Sequence, residues 1–292
     1  MLDPAAACHW RFCIKVIKMA AMHFARTTLF CALFVLGCGG AQPAPQTAPT
    51  LSASAAPSAV TSQPNDVRAA ALSVVAAADR SDADRELDAG RKPAELLTFF
   101  GLKPGMKVAD LAAGRGYTTE LIARMVGETG TVYGQNSKFI LGFAEEVWSE
   151  RLTRPSMKHV VRVDTELDEP LPPSVKDLDL VTFVLFYHDT VWMKTDRERM
   201  NRNVFGALKP GGIYAIVDHS AKVGSGLNDV QTLHRIEESV LKAEVEKAGF
   251  VLESSSDFLR EPSDTLDWSA SPRVAGEKRG HSDRFSLRFK KP

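Results

Sequence analysis

The apolar positions of this chain change spacing sharply near residue 66. Before it, from Gly39 to Asn65, the larger aliphatics are reduced to Leu51 and Val60. After it they recur with helical or strand periodicity. Asp66 precedes VRAAALSVVAAADR, a helix it can cap, and Ser81 can cap a short second one. The stretch from Lys92 to Phe100 places Pro93 in a first helical turn, and Gly101 ends that helix. Strand spacing follows over 107–112, helical spacing over 118–126, a strand over 131–135 and a helix over 138–150 carrying Phe139, Ile140, Phe143 and Trp148. Next come a strand at 159–164, a buried run at 178–187, a helix over 194–207, a strand at 213–218 and a helix over 228–248. Two late strands, 250–256 and 284–289, close the series. Strands separated by helices of this length predict βαβ units and a mostly parallel sheet, with ligands bound beyond the carboxyl ends of the strands.

The amino-terminal part has a different logic. Residues 27–37 form an apolar run preceded by His23 and Arg26 and ending at Cys38-Gly39-Gly40. A membrane span needs roughly 20 apolar residues, so the run is too short to cross a bilayer but has the zones of an export signal. Val35-Leu36-Gly37-Cys38 resembles a bacterial lipobox, which makes Cys38 the candidate lipid carrier; a leader with no export role on a cytoplasmic protein is the alternative. Met22 or Met19 is a more typical signal start than Met1, so residues 1–21 read as an over-long gene start. The Ala-, Pro-, Ser- and Thr-rich stretch 39–66, without charge as far as Asn65, reads as a tether. The expected organisation is therefore a signal-like segment 1–38, a linker 39–66 and one folded domain 67–292, a length within single-domain range.

Charge and cysteine content narrow the chemistry. Lys plus Arg and Asp plus Glu both number 36, a balance that disfavours a protein built to grip nucleic acid. All 4 cysteines, at positions 8, 13, 31 and 38, precede the domain, which removes thiol chemistry and disulfides from it. A metal site would have to use His and carboxylates. No HExxH-like spacing is present, so no metal ligand is assigned.

The first βα loop reads Asp110-Leu111-Ala112-Ala113-Gly114-Arg115-Gly116-Tyr117-Thr118-Thr119. A dinucleotide fingerprint starting at Gly114 needs a third glycine at position 119, which is Thr, and there is no GKS or GKT for a P-loop. Asp110 followed by Ala112, Gly114 and Gly116 is similar to the first motif of the class I S-adenosylmethionine-dependent methyltransferases. Lys103–Lys107 before the strand, Leu208–Gly212 before the 213–218 strand, and Glu244–Phe250 leading to the last strands match that family in order. The resemblance covers roughly residues 90–290. It implies a Rossmann-like, mostly parallel seven-stranded α/β sheet with helices on both faces and a C-terminal antiparallel hairpin.

The resemblance also implies site roles. S-adenosyl-L-methionine is the expected cofactor, with Ala112, Gly114 and Gly116 beneath it, Asp110 organising the loop, and Tyr117 offering an aromatic face to the sulfonium. Asn136 stands where the family usually has an acidic ribose ligand, and a turn-forming Asn is the competing reading. Asp164 and Thr165 stand where the family meets the adenine edge, with Glu166, Asp168 and Glu169 as the alternative carboxylates. The fourth strand ends Leu185-Phe186-Tyr187-His188-Asp189, which implies Leu185 on the cofactor, His188 as a base, Asp189 orienting it and Tyr187 bonding an acceptor oxygen; helix capping is the alternative for this run. Asp218-His219-Ser220 reads as a polar loop start, and Arg235 with Glu238 as a solvated helical pair. The segment 257–283 is long enough for a binding loop, with Trp268 either shielding substrate or anchoring it.

The expected function is methyl transfer to a small-molecule acceptor, with no nucleic-acid partner and membrane contact only through Cys38. The acceptor's identity and the oligomeric state are not written in the sequence. An NAD(P)-dependent oxidoreductase is the competing enzyme, and a non-catalytic lipoprotein retaining the fold is the competing non-enzyme.

Overall fold

The computed structural model describes residues 64–292. Cys38, the signal-like segment and all but the end of the linker lie outside the described residues. Three helices come first: α1 (Pro64–Val75), α2 (Asp82–Arg91) and α3 (Pro93–Phe100). α1 begins two residues before the expected cap, so Asp66 lies in its first turn. It also stops at Val75, because Arg80 folds back and donates to the Val75 carbonyl at 2.7 Å while pairing with Asp88 of α2. Ser81 caps α2 as its spacing predicts, accepting from the Asp84 amide at 3.2 Å.

Then the chain alternates. β1 (Lys107–Leu111), α4 (Tyr117–Val126), β2 (Thr131–Asn136), α5 (Lys138–Leu152) and β3 (Val160–Asp164) form one half. β4 (Leu178–Val184), α6 (Asp189–Trp192), α7 (Arg197–Ala207), β5 (Leu208–His219), α8 (Glu238–Lys247), β6 (Val251–Ser256) and β7 (Arg284–Lys290) form the other. The seven strands lie in the order β3-β2-β1-β4-β5-β7-β6, with β7 antiparallel to both neighbours. Fold class and hairpin are as the sequence implies.

Alternation along the strands feeds two cores. Ala109, Leu111, Val181 and Phe183 enter the core on one face, and Val108 and Leu180 that on the other. Strand order reverses between β1 and β4, which places the crevice at their carboxyl ends.

Two expected elements are corrected. β4 ends at Val184 rather than at 187, because Leu185 turns the chain with φ 58° and donates to the Val217 carbonyl at 2.7 Å. The helix expected over 228–248 forms only from Glu238. Ile236 instead donates to the His219 carbonyl, and Ala221 to that of Ile236, both at 3.0 Å, so tertiary pairing with the end of β5 overrides the helical pattern.

The helices are locked above the glycine loop by a buried ion network. Arg151 of α5 bonds both oxygens of Asp84 on α2 at 2.7 Å and Glu120 on α4 at 2.6 Å, all three side chains being nearly inaccessible. Removing one member of such a network strands the others, at about 3–5 kcal/mol. Arg151→Ala is therefore expected to lower the chemical-denaturation midpoint strongly, while Arg199→Ala, whose partner Glu169 is as exposed as itself, leaves it unchanged. Equal midpoints would show that the network contributes nothing.

Candidate functional site

The loop after β1 is held from beneath by the end of β2. Gln135 accepts from the Ala112 amide at 3.0 Å and donates to the Thr165 carbonyl at 2.7 Å. Asn136 accepts from the Gly114 amide at 2.8 Å and donates to the Gly114 carbonyl at 3.1 Å. Both amides are fully buried. Asn136, expected at a ribose, thus has its amide engaged by the loop. Asp110 accepts from Thr119 at 2.6 Å and Thr182 at 2.7 Å, fastening α4 and β4 to β1. Burial pushes its carboxyl up to about 6, and the two hydroxyls only partly counter that.

The two loop glycines do different work. A side chain at Gly116, where φ is 83°, would meet the Trp148 ring at 2.6 Å and Arg151 at 2.8 Å, so this glycine serves close helix packing. A side chain at Gly134 of β2 would meet the same ring, also at 2.6 Å. Gly114, with φ 58°, would meet only the Ala112 carbonyl at 3.9 Å. Its face is open, and Ala112 beside it also has a positive φ, 50°.

α2 covers the start of α4. The Tyr117 hydroxyl donates to Asp88 at 2.7 Å, and the Arg91 guanidinium lies 4.6 Å over its ring. Tyr117 is thereby closed to a sulfonium on that face. Among the described residues the Arg91 guanidinium makes no hydrogen bond or ion pair, and burial pulls its pKa down. It borders a void of about 10 Å³ shared with Leu185, Val184 and Val217. Asp164 and Thr165 turn elsewhere: Asp164 pairs with Arg162 at 2.8 Å on the surface, and Thr165 donates to the Pro170 carbonyl at 2.6 Å.

The ends of β4 and β5 meet in a histidine cluster. Asp218, fully buried, accepts from the His188 amide at 2.7 Å, from His188 Nδ1 at 2.7 Å and from the His219 amide at 2.8 Å. His188 Nε2 then faces Asp189 Oδ1 and His234 Nδ1, each at 3.3 Å, and His234 Nδ1 is 3.2 Å from Asp189 Oδ1. Burial opposes charge on His188, but Asp218 and Asp189 prevail and raise it to about 10. Burial likewise opposes the Asp189 charge, yet bonds from His188 and His234 hold its carboxyl well below the usual range. His219, bonded to Ser282 Oγ at 2.8 Å, is kept neutral by burial and by the neighbouring His188 charge.

Tyr187 does not join this cluster. Its hydroxyl lies in the core between Glu244 and Asn201, each at 2.9 Å, because the turn at Leu185 sends residues 187 and 188 to opposite sides. His234 is the member that sequence reasoning missed, being read as part of a helix. Its neighbour Arg235, read as solvated, is fully buried, bonding Asp264 at 2.9 Å and the carbonyls of Ser220 and Trp268. Trp268 lies between Arg235 and Lys278, 4.7 and 5.2 Å from its ring centre, and anchors the 257–283 segment.

Comparison with known proteins agrees with the fold. A family model described as Protein-L-isoaspartate(D-aspartate) O-methyltransferase matches residues 81–147, from α2 to α5. A methyltransferase of Aquifex aeolicus, described as S-adenosylmethionine dependent, superposes with a TM-score of 0.50 at 19% identity, over 79% of this chain and 99% of that one. This is the class I methyltransferase fold. The Ubiquinone/menaquinone biosynthesis C-methyltransferase UbiE of Cronobacter sakazakii is 30% identical over 49% of this chain and 56% of its own length. The UbiE protein of Idiomarina loihiensis is 29% identical over 44% of this chain and 49% of its own length. The chain thus spans about half the length of the curated relatives it matches.

Within this methyltransferase fold, Gly116→Ala combines a left-handed backbone with two collisions, so its melting temperature should drop much further than that of Gly114→Ala. The latter carries only the left-handed penalty of about 1–2 kcal/mol. Similar losses for both would remove the packing role assigned to Gly116. The second expectation concerns pH. A native carboxyl near 6, above its unfolded value of 3.8, makes Asp110 stabilising when protonated, and that contribution is lost as pH rises from about 4 to 6. Asp110→Asn removes it: the stability difference, variant minus parent, should rise across that interval. A flat difference would rule the burial argument out.

Proposed function

We propose that this chain transfers a methyl group from S-adenosyl-L-methionine to a small-molecule acceptor. The carrying observation is the glycine loop at the β1–β4 switch, whose Gly114 face is open, with the Arg91 guanidinium over the Tyr117 ring at the loop's end. The cofactor supplies a methyl group already activated by its sulfonium. Ala112 and Gly114 would admit it closely, and Arg91 would bond the carboxylate of its amino-acid end. The fold and the relatives' names support this reading.

The acceptor side is the cluster at the end of β4. Trp192 donates to Asp189 at 2.7 Å and packs edge-on against Phe139 at 5.5 Å, which in turn meets Phe143 at 5.9 Å. Phe139 and Phe143 are 47% and 44% exposed, so an apolar surface adjoins the polar cluster. That combination suits an acceptor with an apolar or aromatic body and one polar head. His188 and Asp189 would position the head, and the aromatic rim would exclude water.

One observation favours a fold-retaining protein without catalysis: the amide at the end of β2 is engaged by Gly114, leaving no charge there for a ribose. Calorimetric titration of the full chain decides. Saturable binding of S-adenosylmethionine, competed by S-adenosylhomocysteine and not by NAD, is expected; no binding overturns the proposal. Arg91→Met should weaken that binding by at least about 10-fold, since a bond to a charged group contributes roughly 1.5–3 kcal/mol. Unchanged affinity would remove Arg91 from the site. Export with a lipid on Cys38 forms part of the same proposal, supported by the lipobox-like residues 35–38, and mass spectrometry of the mature amino terminus tests it.

A further inference from the structure

The cluster that closes the β4–β5 end brings three metal-ligating atoms within reach of one centre. His188 Nε2, Asp189 Oδ1 and His234 Nδ1 form a nearly equilateral triangle with sides of 3.3, 3.3 and 3.2 Å. All three atoms face one another. Asp189 Oδ1 already accepts a short bond, 2.7 Å, from Trp192 Nε1, so two further imidazole N–H groups would crowd a second and a third bond onto that one oxygen. The two imidazole nitrogens, meanwhile, can bond each other only when one of them carries no proton and offers its lone pair.

A cation at the centre resolves the conflict. Donor bonds to Zn²⁺ of about 2.0–2.1 Å in tetrahedral geometry set donor–donor edges of roughly 3.3–3.4 Å. An octahedral Mg²⁺ with bonds of about 2.0–2.1 Å requires edges nearer 2.9–3.0 Å and prefers oxygen ligands. The triangle has the size and the donor set, two imidazoles and one carboxylate, of a zinc-class ion.

The surroundings are those of a built site. Asp218, fully buried, accepts from His188 Nδ1 at 2.7 Å, which fixes the ring and aims Nε2 at the triangle, where a bound metal would take the place of its proton. His234 is held in a left-handed backbone, φ 51°, a conformation that persists only where neighbours enforce it. The enforcement is visible. Arg235, fully buried, is gripped by both oxygens of Asp264 at 2.9 and 3.2 Å, and the Ala270 amide donates to the Leu233 carbonyl at 2.8 Å. Thus the long segment between β6 and β7 clamps both sides of His234. Side-chain exposure rises from 3% at His188 through 12% at Asp189 to 26% at His234, so the triangle is reached from the His234 side.

We propose that His188 Nε2, Asp189 Oδ1 and His234 Nδ1 bind a divalent transition-metal ion of the zinc class, leaving a fourth position open. Three protein ligands with one open position is the pattern of a catalytic rather than a structural zinc site. An oxygen or nitrogen of the acceptor would take that position; this last step, unlike the metal site itself, rests on the methyl-transfer reading above.

The test uses the full chain, stripped with a chelator and titrated with Co²⁺ as a spectroscopic probe and Zn²⁺ as competitor. One equivalent of Co²⁺ with intense visible bands of tetrahedral type, displaced by Zn²⁺, is expected. His234→Ala, His234→Gln and Asp189→Asn should each weaken binding beyond the roughly 10–100-fold that Asp218→Asn, an outer partner, is expected to cause. Far-UV circular dichroism of the metal-free variants controls for folding, and His234→Gln preserves the volume of the ring most closely. No stoichiometric binding, or parental affinity in the His234 and Asp189 variants, overturns the proposal. S-adenosylmethionine titration of the same samples keeps the two readings apart. Cofactor binding without Co²⁺ binding sinks the metal site alone, and Co²⁺ binding without cofactor binding sinks methyl transfer alone.

Discussion

The buried carboxylate of Asp218 is the constraint on which the functional end of the sheet depends. Sealed at the end of β5, it takes two backbone amides and one imidazole N–H, all within 2.8 Å. A carboxylate so placed has no water to satisfy it, so the groups that replace water must stay where they are. This fixes the path of the chain after β4. To bring the amide and ring of His188 to one carboxylate, the strand must break at Val184 and reverse through a left-handed Leu185. Tyr187 is consequently turned into the core, while His188 and Asp189 come to the crevice.

A second buried charge extends the same order outward. Arg235 joins the turn after β5, through the Ser220 carbonyl, to Asp264 and Trp268 in the β6–β7 segment. Asp264 also accepts from the Asp283 amide at 2.6 Å, and Arg284 next to it reaches back to the Gly90 carbonyl at 2.6 Å and the Gly280 carbonyl at 2.9 Å. Bond by bond, the long segment ties the histidine cluster to the end of α2, the helix whose Arg91 stands over Tyr117. Buried ion pairs of this kind contribute little net stability but fix one geometry over alternatives. Here that geometry places both halves of the crevice.

Much of this was legible from residue patterns, for a physical reason. The βαβ alternation, the Ser81 cap, the Gly101 stop and the two late strands are local signals, and each formed where the spacing placed it, while the antiparallel pairing of those strands was implied by the resemblance. The loop Asp110–Thr119 and the run Leu185–Asp189 were legible because a buried strand must deliver polar residues at its carboxyl end. The failures are non-local. LHRIEESV has helical spacing, and nothing within it reveals that Arg235 meets a carboxylate 29 positions later. His234 was hidden by the same misreading. Tyr187 and His188 were read as one group because a single left-handed residue, Leu185, carries no sequence mark of its own.

Asn136 shows why a departure from a family pattern need not mean loss of the site. Gly114 presents both an amide and a carbonyl to residue 136, and an amide side chain answers both, accepting at 2.8 Å and donating at 3.1 Å. A carboxylate in the same place could answer only the amide and would set its charge against the Gly114 carbonyl, within a fully buried pocket. The left-handed Ala112 makes the clamp necessary, because a loop with a strained alanine in place of a glycine needs more fastening from below. Gln135 provides the rest of that fastening at the Ala112 amide. Alanine at 112 and amides at 135 and 136 are therefore one compensated arrangement, and it leaves the outer face of Gly114 free.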